Sequence, residues 1–259
     1  AIVMEKPMAL SLAEAREVST LASEAGVQLI VSHQHKYGAH WRHVKELIDR
    51  GELGEIRTIH LTSKGWMAQY ATHLIDYGLW LAGSPDILWA TGHASGWNLL
   101  EPSHPSPNYF WGQLALANDV RLLIECGPSA PDQPGYRQPK TFSLDFWMNA
   151  GATVVGTKGE ANVVVGRGWS AVTSQSGVIG SNDVAFDGVN DTVGLYKELA
   201  NTLLAGSDTH SCRAVVALRG YEALVAICRS TVNRQTVPLP LSDSSEAIGQ
   251  LQAILNPAN

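Results

Sequence analysis

The stretch Ala1-Ile2-Val3-Met4-Glu5-Lys6-Pro7-Met8-Ala9-Leu10 decides the fold. A short apolar strand ends in a lysine and a proline, and a helix follows at once. Open α/β sheets present side chains at their carboxyl edge in this way, and ligands bind along that edge. Pro7 fixes φ as the chain turns toward the helix. Because the strand starts at residue 1, the first part of its sheet is expected upstream of this sequence.

The next residues support that reading. Ser11-Leu12-Ala13-Glu14 is a capping box, with Ser11 and Glu14 satisfying each other's end of a helix. Leu12, Ala15, Val18, Ala22 and Ala25 keep one apolar face, and Gly26 supplies a left-handed C-terminal cap. Val27 to Val31 then read as a short buried strand, parallel to the first. A further helix is expected from about Ala39 to Arg50, ended by Gly51.

After Gly54 the pattern changes. Thr58 to Ser63 alternate as a strand with one covered face, and a helix from about Gln69 to Ala82 is closed by Gly83 and Pro85. Strand signals dominate from there to about residue 180. Leu114 to Ile124 flank an Asn118-Asp119 turn, Phe142, Leu144, Phe146 and Met148 alternate, and Val154 and Val163 lie either side of a Gly156-Thr157-Lys158-Gly159 hairpin turn. The sheet they form is expected to be largely antiparallel. Glu101 to Asn108, Pro128 to Pro139 and Ser174 to Asp187 read as loops. Helices from about Thr192 to Ala205 and Ser211 to Val232 follow, with an extended tail Val237 to Leu241. The fold class is therefore α/β followed by α+β, divided into residues 1–36 and 37–259.

The 259 residues suffice for one large domain or two smaller ones, with 45% hydrophobic and 16% charged residues, as in ordinary globular proteins. A net charge of −6 argues against nucleic-acid binding, which needs a basic face. No run approaches a membrane span and residues 1–4 are no signal peptide. Cys126, Cys212 and Cys228 share no motif spacing, so buried thiols in a reducing compartment, the cytoplasm, are expected.

Taken in order, Glu5-Lys6-Pro7, then His33-Gln34-His35-Lys36-Tyr37, then Thr72-His73-Leu74-Ile75-Asp76 with Trp80-Leu81-Ala82-Gly83 resemble the Gfo/Idh/MocA family of NAD(P)-dependent oxidoreductases. Glu222-Ala223, Arg229-Ser230 and Val237 to Leu241 look like that family's last helix and extended tail. The resemblance implies the C-terminal part of a Rossmann-like parallel sheet packed on a domain with a large, mainly antiparallel sheet. It implies NAD or NADP as cofactor and a sugar, polyol or related small molecule as substrate, oxidised or reduced at a hydroxyl-bearing carbon. The family's Gly-rich turn and its ribose-reading acidic residue precede the Glu-Lys-Pro motif. Roughly 90 residues, about three strand–helix units, would then lie before Ala1, and this sequence taken alone is expected to be a truncated form.

Site roles follow from the same resemblance. Lys6 would hydrogen-bond the reacting hydroxyl and the nicotinamide ribose, and an ammonium there favours the alkoxide that forms as hydride leaves. Glu5, Pro7 and Gln34 would line the cofactor. His73 would be the catalytic histidine, a neutral imidazole suited to taking a hydroxyl proton near pH 7. The family commonly has an Asp four residues before it; here that position is Gln69, an amide able to orient the ring but not to stabilise imidazolium. Asp76 is expected to tie its helix to neighbouring backbone. Independently of the resemblance, if the strands run as read, Tyr37, Lys64 and Trp66 would face the same cavity, binding sugar hydroxyls and ring faces.

Two other readings stay open on the residues. A non-catalytic sugar-binding or assembly protein is favoured by the missing Gly-rich turn and by Gln69. A metal hydrolase would need His33, His35, His40 and His43 as ligands, but no second half of a zinc site is identifiable, and no resident metal is expected. The apolar alternation of the antiparallel sheet exceeds what helices on one side could cover, so the other face is expected to pair with another subunit.

Overall fold

The computed structural model describes residues 1–97, 106–134, 146–182, 185–244 and 246–256. Its first strand, β1 (Ile2–Met4), leads through the helix α1 (Leu12–Glu24) to β2 (Leu29–Val31). The two strands pair in parallel, Ile2 opposite Leu29 and Met4 opposite Val31. The capping box is in place: Ser11 Oγ accepts from Glu14 N and the Glu14 carboxylate accepts from Ser11 N. Gly26 has φ +63°, the left-handed conformation that ends α1.

A 3-10 turn, Gln34–Tyr37, follows β2 and runs into α2 (Ala39–Asp49). Next come β3 (Ile56–Ser63), a π-helical turn (Met67–Ala71) and α3 (Thr72–Leu81). The helix expected from Gln69 thus begins as a π turn, a widened form common at functional sites. Then follow β4 (Ile87–Trp97), β5 (Pro107–Leu116), β6 (Arg121–Cys126), β7 (Ala150–Gly156), β8 (Gly159–Val164), β9 (Gly168–Thr173) and β10 (Gly177–Ser181). The chain closes with α4 (Gly188–Leu204), α5 (Ala214–Asn233), β11 (Val237–Pro238) and α6 (Ala247–Leu255).

Strands β3 to β11 form one nine-stranded sheet in the order β10-β9-β8-β7-β3-β6-β5-β4-β11. All its pairs are antiparallel except β3 with β6, where Ile59 lies opposite Leu122. Inward residues of the central strands, among them Ile59, Leu61, Leu122, Ile124 and Val154, are fully buried under helices. The outward residues are more polar: His60, Glu125 and Tyr109 are bonded in a chain, His60 Nε2 to Glu125 Oε1 at 2.8 Å and Tyr109 Oη to Glu125 Oε2 at 2.7 Å.

Helix α3 is buried almost all round and lies against β3, β6 and α5. It approaches the sheet closely at Gly78, where a Cβ would collide with Leu122 and Leu61. Helix α5 does the same through Ile227, which enters a slot made by the cross-strand pair Gly92 and Gly112. The two sheets are tied by α1 and the tail: Arg16 Nη2 reaches Glu222 Oε1 at 2.5 Å and the Leu241 carbonyl at 2.7 Å. A second small core of Ile30, Leu195, Leu199 and Cys212 fixes α4 beside β2.

Four expectations are corrected. Ser174 to Asp187 is not a loop throughout, because Gly177–Ser181 forms β10. That edge strand has Val178 82% exposed, so no inside–outside alternation announces it. Phe146–Met148 is a 3-10 turn, not the end of a strand; Asn149 there takes its side chain to Gln133 N at 2.8 Å and Asp132 Oδ1 at 2.6 Å, turning the chain. Residues 142–145 of that expected strand, 101–105 and 135–139 lie outside the described residues. Pro107 and Asn108, expected in a loop, open β5. Helix α4 starts at Gly188, earlier than Thr192, because the Asp187 carboxylate caps Asn190 N at 2.9 Å. No described helix is long and apolar enough to cross a membrane.

Candidate active site

Strand β1 delivers Lys6 to the carboxyl edge, as the sequence suggests, with the Lys6–Pro7 peptide cis. Lys6 Nζ donates to the main-chain carbonyl of Gln69 at 2.9 Å. Among the described residues this is the protein acceptor recorded for its three N–H groups. Burial lowers the pKa of the ammonium below the usual lysine value, against the opposing charge of Glu5. Such a group responds strongly to a developing negative charge.

The π turn that supplies the Gln69 carbonyl leads directly into α3 and His73. His73 is 2% exposed. Its Nδ1 lies 3.1 Å from His33 Nδ1 and 2.9 Å from Tyr77 Oη. Two bare lone pairs would repel at that distance, so one of the two facing nitrogens carries a proton. If His73 holds it, Nδ1–H points to His33 and Tyr77, and Nε2 is left with a free lone pair, as a base requires. Burial, then the charges of His33, Lys6, His35 and Lys36, push the His73 pKa well below the usual imidazole range. His33 is held down to about 4, chiefly by burial. Both rings are neutral at pH 7.

A third imidazole stands beside this pair. The His35 ring centroid is 5.6 Å from that of His73, and His35 Nδ1 lies 3.0 Å from Asp191 Oδ2 on α4. Rings close the same neighbourhood: Trp147 stacks on His35 at 5.9 Å, Phe186 lies 5.1 Å from His35, and Tyr70 lies 5.5 Å from His73. The aromatic rings pack against one another around the imidazoles of His35 and His73.

The structure brings Lys6, Gln69 and His73 together and gives Tyr37, Lys64 and Asp76 partners elsewhere. Gln69 contributes through its main chain, and the bonds at the His73 ring come from His33 and Tyr77, not from a residue one turn earlier. Tyr37 does not face this site: its hydroxyl bonds Glu198 and lies 2.9 Å from Ser211 Oγ, on the far side of the 3-10 turn. In an extended chain Tyr37 would share a side with His33 and His35; the 3-10 turn sends it to Glu198 instead. Lys64 is buried with its ammonium 3.2 Å from the Pro128 carbonyl and 3.3 Å from Asp132. Trp66 precedes the π turn and offers its carbonyl to Tyr70 N at 2.7 Å. Glu5 is exposed, and Gln34 Oε1 accepts from Ser32 Oγ at 3.1 Å. Asp76 pairs not with backbone but with Lys36, 2.6 Å away, both side chains 1% exposed. Burial is the largest single influence and opposes the Lys36 charge, but Asp76 and Cys212 together raise the lysine pKa.

His33, Tyr77, His35 and Asp191 are the residues that sequence reasoning missed in these roles. Tyr77 had a signal, since it stands four residues after His73 on the same helix face. Asp191, 156 positions from His35, had none. The four histidines do not converge: His40 is buried in α2 and His43 is half exposed against Trp169. Among the described residues no group of three or more His, Cys, Asp or Glu is placed to hold a metal ion.

No family model matches the chain. Its structure superposes on levoglucosan dehydrogenase, in complex with NADH and levoglucosan, with a TM-score of 0.76 and 14% identity, over 92% of this chain and 74% of that one. The chain has the fold of the Gfo/Idh/MocA oxidoreductases. A super-repressor mutant of Gal80p from Saccharomyces cerevisiae shares this fold, with a TM-score of 0.73 and 16% identity over 92% of this chain and 71% of that one. In sequence, the chain is 41% identical over 59 residues to 1-carboxy-3-chloro-3,4-dihydroxycyclohexa-1,5-diene dehydrogenase from Comamonas testosteroni. That match spans 23% of this chain and only 15% of the relative.

Proposed function

We propose that the chain forms the substrate side of an oxidoreductase that uses NAD or NADP to interconvert a hydroxyl and a carbonyl on a sugar, polyol or related ring compound. The observation that carries this reading is the meeting of Lys6 with the turn that bears His73, at the carboxyl edge of a parallel strand pair. The dehydrogenases similar to this chain in sequence and fold support it.

The residues fit a nicotinamide at that edge. Lys6 keeps N–H donors beyond the one given to Gln69, and Glu5, Pro7 and Gln34 stand at the ends of the same two strands. When bound, the nicotinamide supplies the hydride acceptor or donor. Lys6 holds the substrate oxygen and stabilises negative charge on it; His73 Nε2 takes the hydroxyl proton, with His33 and Tyr77 fixing its ring from behind. Residues 1–36 would serve the cofactor and residues 37–259 the substrate and assembly. Two copies would pair through the open sheet face carrying His60, Glu125 and Tyr109. The three buried free thiols suit a reducing cytoplasm.

The test, made on the full-length gene product that carries this sequence, is reduction of NAD(P)+ in the presence of levoglucosan, inositols and cyclic diols, read as nicotinamide absorbance. Turnover with one of them, strongly reduced in Lys6→Met, is expected. Gln69 in place of a carboxylate favours a second reading, a non-catalytic sugar-binding or assembly protein. Tight sugar binding with no nicotinamide reduction across the panel would establish that reading instead.

A further inference from the structure

A hydroxyl proton released during oxidation must leave the site before the next turnover, and His73 is badly placed to keep it. The ring is buried, its surroundings disfavour imidazolium, and both contacts at Nδ1 are internal. The carboxylate nearest in sequence, Asp76, is committed to Lys36.

His35 lies nearer the surface. Its side chain is 17% exposed against 5% for that of Asp191, so it stands between the interior and solvent. An ionised Asp191 accepts from His35 Nδ1–H, which fixes the tautomer and turns Nε2 away from α4. The ring stacks on Trp147, which limits its rotation, and its centroid lies 5.6 Å from that of His73. The titratable groups around it are Asp191, with Asp187 behind it on α4, His73 on α3, His40 on α2, and His33 on its own segment.

We propose that His35, held by Asp191, is the proton shuttle of this site, carrying the proton from His73 to solvent. The inference rests on reading the site as an alcohol-oxidising centre. In the oxidation, the substrate C–H bond breaks with its electron pair going to the oxidised nicotinamide, and the O–H proton passes to His73 Nε2. The shuttle then moves one proton and no electrons: the His73 Nε2–H bond breaks, a bridging water hands a proton to His35 Nε2, and His35 gives it to buffer. Alcohol and oxidised nicotinamide become carbonyl compound, reduced nicotinamide and one free proton. Asp191 is a positioning residue, stabilising His35 while it is charged.

Two measurements test this. Ring ¹⁵N–¹H correlation spectra of the full chain need no substrate; they are expected to show His35 protonated at Nδ1 at pH 8, with that preference lost in Asp191→Asn. A His35 protonated at Nε2 alone overturns the proposal. This measurement stands whether or not any alcohol is turned over, so its failure is distinct from failure of the oxidoreductase reading. In steady-state oxidation, His35→Gln and Asp191→Asn are expected to slow turnover about ten-fold or more in dilute buffer. Added imidazole should restore most of the rate in His35→Gln and leave wild type unchanged. Full rates in both variants, or a loss that no imidazole concentration relieves while circular dichroism shows the fold intact, overturn the shuttle.

Discussion

Lys6 Nζ donates to the main-chain carbonyl of Gln69 over 2.9 Å, tethering the end of the first strand to the helical turn that carries His73. The tether uses backbone, so the identity of residue 69 matters less to Lys6 than its position. Gln69→Ala is expected to lower kcat/KM less than about ten-fold. Lys6→Met removes the ammonium from the reacting oxygen and is expected to cost on the order of 10² to 10³ in kcat, the usual worth of one oxyanion donor. Equal losses in the two variants, measured as NAD(P)+ reduction, would assign Gln69 a side-chain role after all.

His73→Ala is expected to reduce turnover by roughly 10² to 10⁴, as loss of a positioned base does. Tyr77→Phe keeps the ring packing and deletes one of the two partners at Nδ1. It should produce a smaller loss in kcat with little change in KM. A Tyr77→Phe enzyme with wild-type kcat would show that His33 alone orients the ring.

Lys36 and Asp76 form an ion pair with both side chains 1% exposed. Breaking it from one side leaves an uncompensated buried charge, so Asp76→Ala is expected to lose about 3–5 kcal/mol in urea unfolding. The double variant Lys36→Met with Asp76→Leu should recover most of that. Failure of the double variant to exceed Asp76→Ala would mean that packing, not charge, dominates.

Acid should destabilise the fold early. Burial holds His33 and His40 down to about 4 from an ordinary 6.5. The unfolded chain therefore binds more protons between those values. Stability is full above pH 6.5 and falls as pH drops toward 4, by roughly 3 kcal/mol per group at most. His40, with neither ring nitrogen bonded among the described residues, is the clean probe. Thermal melts of His40→Leu between pH 7.5 and 5 should lose less stability than wild type; parallel curves would refute the assignment.

Gly92 and Gly112 face each other across β4 and β5 under Ile227, whose side-chain atoms would lie 2.5 Å from a Cβ at either position. Gly92→Ala is expected to destabilise by about 1–3 kcal/mol through overpacking. Pairing it with Ile227→Val should relieve part of the cost. An unchanged denaturation midpoint in Gly92→Ala would show that α5 can shift away from the sheet.

The sequence by itself determined the local structure around the candidate site. A capping box, a Gly26 left-handed cap and two short apolar runs suffice for β1–α1–β2, because each depends on residues within one or two turns. The same locality made Lys6 and His73 legible as candidates, by strand end and helix position. Only the tertiary structure decided what surrounds them. The Asp191 carboxylate reaches His35, Lys36 finds Asp76, and Tyr37 is turned to Glu198, over separations of 156, 40 and 161 residues. The 3-10 turn at Gln34–Tyr37 sends neighbouring side chains to opposite sides, and the π turn re-aims a backbone carbonyl that no side-chain pattern encodes. Edge strand β10, with Val178 exposed, Ile179 half-buried and glycines at 177 and 180, left too little periodicity to read. Local hydrogen bonding and hydrophobic period are written in neighbouring residues; the protonation partners of a buried ring are set by whichever chain segments the core packs against it.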